Sequence, residues 1–126
     1  MAESNLDRRA RATALFKLAV KANSGAVHPT LNRPPKGKGW IQAANSPTGL
    51  MCRPAKVREA IQLFTKAYDE FPDIVALNQI ALAYEMLGEF EAARINFTKM
   101  RTQAESEGNV AYFKAAELGL ARIDQQ

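Results

Sequence analysis

The hexapeptide Ala76-Leu77-Asn78-Gln79-Ile80-Ala81 decides how this 126-residue chain is read. It opens on alanine and a large apolar residue and closes on an apolar residue and alanine. That spacing places both pairs on one side of a helix. The pattern returns 35 residues later as Ala111-Tyr112-Phe113-Lys114-Ala115-Ala116, and it stands 62 residues earlier as Ala14-Leu15-Phe16-Lys17-Leu18-Ala19. Self-similarity at a period of about 34 residues marks stacked helical hairpins, and the longer interval fits one such unit plus an insertion of about 28 residues.

A second helix belongs to each unit. Ala60, Phe64 and Ala67 precede Pro72, and Ala93, Phe97 and Met100 repeat that spacing 33 residues on. The four- and three-residue steps line these groups along one helix face, where alanine permits close approach and the aromatic ring fills the gap. Punctuation sets the boundaries. A first helix is expected over residues 5–23, capped by Ser4 or Asn5. Pro54 starts a second that runs to about residue 70, where Phe71-Pro72-Asp73 stops it. Asp73 caps a third helix to Leu87, and Gly88 supplies a left-handed exit. A fourth follows over 89–106, and Asn109 caps a fifth to about residue 124. No segment reads as a strand.

Eight of the thirteen glycines and prolines fall between Ser24 and Arg53. Such density breaks helices and central strands, and a structureless run beyond about 15 residues is uncommon inside a compact domain. Residues 24–53 therefore read as a loop insertion within the first helical hairpin, and residues 1–126 as a single domain.

The two-helix unit resembles the tetratricopeptide repeat (TPR) family. In the middle unit Leu77, Ile80, Ala81 and Tyr84 take the first-helix positions, Gly88 and Phe90 the turn, and Ala93, Phe97 and Met100 the second helix. Ala60, Phe64, Ala67 and Pro72 match the preceding second helix. Leu15, Leu18, Ala19 and Ala22 match more loosely before it, as do Tyr112, Ala115, Ala116 and Gly119 at the end. The expected fold is all-α: TPR-like stacked helical hairpins, about two and a half repeats plus the long Gly/Pro-rich insertion. The resemblance implies an adaptor, scaffold or small chaperone that binds a protein or peptide segment in a concave groove lined by first helices. By position that groove presents Phe16, Lys17, Val20, Asn78, Gln79, Leu82, Phe113, Lys114 and Glu117. The amides suit a peptide backbone, the lysines a carboxylate, and Phe16 and Phe113 are either ligand anchors or core. Since about three repeats are usually needed for stability, a homo-oligomer is also expected to be possible.

Charge divides the chain. Residues 1–58 carry eleven Lys/Arg against two acids, whereas residues 59–126 carry six against eleven. A basic front and an acidic back imply either an anionic partner or contact between the two halves. Within the insertion, Arg33, Lys36, Lys38 and Trp40 combine cations with an aromatic. That set suits phosphate contact and base stacking, so a nucleic-acid-associated protein is the alternative function. Gly37-Lys38 lacks the spacing of a phosphate loop.

No catalytic set emerges, so the chain reads as a non-enzyme. His28 has no triad partners nearby and reads as a solvated loop residue. Cys52 reads as a half-buried structural thiol. One cysteine and one histidine leave no metal-ligand cluster, and neither metal nor cofactor is expected. No apolar run reaches the roughly 20 residues of a membrane span. Lys17 interrupts the apolar stretch 12–20 that follows Arg8, Arg9 and Arg11, so a secretory signal is not expected and a cytoplasmic location is preferred.

Overall fold

The computed structural model describes residues 4–29, 37–45 and 50–126. Helix accounts for 76% of these, in five helices, with one small three-stranded sheet. The elements run α1 (Asn5–Ala26), β1 (Val27–Pro29), β2 (Ile41–Gln42), β3 (Leu50–Cys52), α2 (Pro54–Glu70), α3 (Ile74–Met86), α4 (Phe90–Glu107) and α5 (Val110–Asp124).

The helix ends follow local chemistry. Ser4 accepts a hydrogen bond from the Asp7 N–H, Asp73 from Val75 and Asn109 from Tyr112, so three helices start on side-chain caps. Phe71 leaves α2 in an extended conformation, as a residue before proline must. The exits of α3 and α4 are alike. After α3, the Gly88 N–H bonds to the Glu85 carbonyl and the Glu89 N–H to that of Tyr84. After α4, Gly108 bonds to Glu105 and Asn109 to Ala104. Both glycines have positive φ, 78° and 69°, a region that side chains other than glycine enter at a cost.

Neighbouring helices pack in chain order, and α3 also touches α5. Cross-links give their directions. Arg11 near the start of α1 binds Glu70 at the end of α2, and Arg94 near the start of α4 binds Asp124 at the end of α5. Arg58 at the start of α2 pairs with Glu89, beyond the end of α3. Thus α1 and α3 both run against α2 and are roughly parallel to each other.

Two apolar clusters form the interior. One joins α1, the sheet region, α2 and one side of α3 around Phe64, Val57 and Cys52. The other joins the opposite side of α3 to α4 and α5 around Phe97 and Met100. The paired second-helix positions are buried as expected: Ala60 with Ala93, Phe64 with Phe97, Ala67 with Met100. In the first-helix hexapeptides only the middle copy is enclosed. Leu18 is 54% exposed and packs little, contrary to the sequence reading.

Residues 24–53 differ from the expected loop. α1 continues through Gly25 to Ala26, and three short antiparallel strands follow in the order β1-β3-β2. Cys52 lies opposite both Val27 and Ile41. Pro29 is tolerated because β1 is an edge strand. Strands of two or three residues are too short to show an alternating pattern, which is why glycine and proline dominated the reading. The Arg53 N–H bonds to the Ala26 carbonyl and the Ala44 N–H to that of Met86, fastening the sheet to the ends of α1 and α3.

Near the ends of α3 and α5, Glu85 is 1% exposed and accepts two hydrogen bonds from Arg122, both 2.9 Å. A fork of this kind satisfies a buried carboxylate that would otherwise be costly. Phe97 lies under the same guanidinium and against Gly119.

Two outcomes follow for stability. A Cβ at residue 119 would stand 2.5 Å from the Phe97 ring, so Gly119→Ala should lose about 1–3 kcal/mol in urea unfolding. Separately, the hydrogen bond from Arg11, with Arg8 alongside, holds the Glu70 carboxyl below its ordinary value of 4.5. The unfolded chain then binds this proton more readily than the folded one. Glu70 therefore contributes fully above its ordinary value and loses that contribution as pH falls through the lower folded one. Stability–pH curves of Glu70→Gln should run flatter than wild type from about pH 5 downward.

Candidate functional site

Two clefts between the roughly parallel helices α1 and α3 mark out a furrow, while a larger hollow of about 430 Å³ lies between α1 and α2. On α1 the stripe Arg9, Ala12, Phe16, Asn23 follows helical three-, four- and seven-residue steps. On α3 the stripe Val75, Gln79, Leu82, Met86 faces it.

The cleft near the helix starts measures about 290 Å³. Phe16, Phe71, Val75 and three alanines form its floor, and Arg9, Lys17 and Asp73 stand around it. Phe16 is held edge-on against Phe64 at 5.2 Å, and Arg9 lies 4.9 Å above the Phe71 ring. Such contacts fix side chains that would otherwise rotate freely. The cleft near the helix ends measures about 210 Å³. Asn23, Asn45 and Gln79 converge on it above Val27, Leu50, Leu82 and Met86. The Asn45 Oδ1 is buried with no hydrogen-bond partner. Carboxamides both donate and accept, which suits a peptide backbone.

Of the residues expected in the groove, Phe16 and Lys17 share the first cleft, and Gln79 and Leu82 share the second. Val20 is exposed between them on the same face of α1. Asn78 is half-buried beside this stripe. Phe113, Lys114 and Glu117 lie on α5 and line neither cleft. Phe113 packs on the second apolar cluster and Phe16 on the first, each only partly buried, and Phe16 also lines the first cleft. Arg9, Asn23, Asn45 and Phe71 were missed. Arg9 and Asn23 are seven residues either side of Phe16, a spacing visible in the sequence, whereas Asn45 and Phe71 reach the furrow only through tertiary folding.

In the insertion, Arg33 and Lys36 lie outside the described residues, and Lys38 is exposed. Trp40 is half-buried, with the Arg53 guanidinium 4.5 Å above its ring and His28 edge-on at 5.8 Å. His28 is thus a strand residue packed on tryptophan rather than a solvated loop group, and its Nδ1 is buried without a partner. Cations of the basic front meet acids of the back: Arg8 and Arg11 with Glu70, Arg58 with Glu89. Contact between the two halves, one of the two readings of the charge division, is therefore present.

Among the described residues no group of three or more His, Cys, Asp or Glu could hold a metal ion, and no helix is long and apolar enough to cross a membrane. Cys52 is wholly buried on the central strand, more deeply than expected, and burial pushes its thiol pKa up. Both effects suppress the reactive thiolate. Native protein should resist alkylation by iodoacetamide near pH 8, and protein in urea should react readily; fast native labelling would contradict this placement.

No protein-family model, curated protein or solved structure matches this chain.

Proposed function

We propose that the chain is a non-enzymatic protein–protein interaction module of TPR-like build, an adaptor, scaffold or small chaperone that seats a partner segment between α1 and α3. The observation that carries this reading is the furrow itself. Helices α1 and α3 run roughly parallel and together line both clefts; at one end the Asn45 Oδ1 is buried without a partner, and at the other Arg9 and Lys17 have no acid partner among the described residues. Recognition by such a surface needs shape, a few anchoring pockets and backbone hydrogen bonds, and no bond making. The helix order and the matched burial of Phe64 and Phe97, 33 residues apart, support the repeat interpretation.

Selection from a random peptide-display library tests the proposal. Selected peptides should bind wild type and lose about tenfold or more in affinity on Val20→Arg, exposed on the α1 face between the clefts, and on Gln79→Arg, which lines the second cleft. Ile95→Arg, an exposed position on α4, should leave affinity unchanged. Peptides indifferent to both furrow changes would overturn the proposal. So would the absence of any binder alongside salt-sensitive retardation of oligonucleotides, which would favour the nucleic-acid alternative.

A further inference from the structure

The cations at the start of α1 fall into two sets. Arg8 and Arg11 are turned toward α2, where both meet the Glu70 carboxylate and Arg8 also donates to the Asp69 carbonyl. Arg9 and Lys17 are turned toward the furrow, and neither is paired with an acid among the described residues. Arg9 is placed by the Phe71 ring beneath it. The one acid lining the same cleft, Asp73, already accepts the Val75 N–H as the cap of α3. The cleft therefore joins an apolar floor to an excess of positive charge, with the positive end of the α3 dipole close by.

The spacing of the two cations is informative. They stand eight residues apart on one helix, a rise of about 12 Å. Phe16 lies between them along the helix, and the Phe71 ring lies beneath Arg9, so both aromatics line the floor of the cleft. An extended peptide advances about 3.3 Å per residue, so about four residues cover that distance. Hence we infer that this end of the furrow recognises an extended acidic peptide segment in which two carboxylate side chains, about four positions apart, flank one bulky apolar side chain. The apolar side chain rests on the aromatic floor, and the carboxylates meet Arg9 and Lys17. The inference rests on the furrow reading above and adds to it the chemistry of the partner. Charge complementarity supplies the selectivity, because a basic segment placed there would meet like charge on both sides of the floor.

Fluorescence polarisation with labelled synthetic peptides provides the test. The first probe is Glu-Ser-Phe-Ser-Glu within a neutral Gly/Ser context. Controls replace both Glu by Lys, replace Phe by Ser, or move the two acids to adjacent positions. The first probe should bind saturably, and each control should bind about tenfold more weakly or worse. Arg9→Glu and Lys17→Glu should each weaken the first probe by about tenfold, and added salt should weaken it further. Both positions are exposed, and unchanged far-UV circular dichroism would show that the variants fold. Equal binding of the Lys control would overturn the inference, as would indifference to both charge reversals or no binding of the first probe. Failure of the underlying reading looks different. Library peptides that depend on Val20 and Gln79 but lack paired acids would leave the furrow standing and remove only its acidic preference. Peptides indifferent to the furrow would remove both.

Discussion

Everything in this molecule is hung on α3. Its thirteen residues are apolar on almost every side, a pattern that requires burial all round. Ile80, Ala83 and Met86 face the cluster built with α1, α2 and the sheet region, while Ile74 and Ala81 face the cluster built with α4 and α5. Remove α3 and the two clusters have no common wall. The same constraint creates the furrow. Because α3 is covered by α2 and α4, its remaining stripe is left beside the parallel α1, with small and polar side chains along the seam. Architecture and candidate site are thus one consequence of one buried helix.

Polar contacts refine this packing at its ends. The Glu85–Arg122 fork ties α3 to α5 near their ends, and the arginine also covers Phe97. A pair half open to water on one side and fully buried on the other fixes geometry more than it adds stability. The surface pairs of Arg8, Arg11 and Arg58 are individually weak, of the order of 0–1 kcal/mol. Their larger effect is on the distribution of charge. They neutralise one side of the basic front and leave Arg9 and Lys17 as the cations that a ligand in the furrow would meet.

Much of the helical framework was legible because its signals are local. Pro54, Asp73, Gly88, Gly108 and Asn109 mark helix boundaries by backbone chemistry that tertiary structure does not alter. The Ala–aromatic–apolar spacing of the second helices was legible because both copies are fully enclosed. Two features were not legible, for different reasons. The sheet is held by pairing between residues about 25 apart, Val27 with Cys52, and such short strands carry no periodicity of their own. Leu18 looked like core because its hexapeptide copies an enclosed one, but α1 has a neighbour on fewer sides than α3, so an identical pattern is only partly covered. The groove positions expected on α5 line neither cleft. Positional equivalence put Phe113, Lys114 and Glu117 beside the α1–α3 pair, whereas the two clefts are closed by the end of α2 and by the sheet region.

The strand order carries one more consequence. β3 is the middle strand, yet it is the last of the three in the chain. As the polypeptide emerges during synthesis, β1 and β2 have nothing to pair with until residues 50–52 arrive, and those residues lead directly into Pro54 and α2. Closing the sheet and starting the second helix are therefore neighbouring events in time. The helix that covers α1 thus follows directly from the strand whose next residue, Arg53, bonds to the far end of α1 at Ala26.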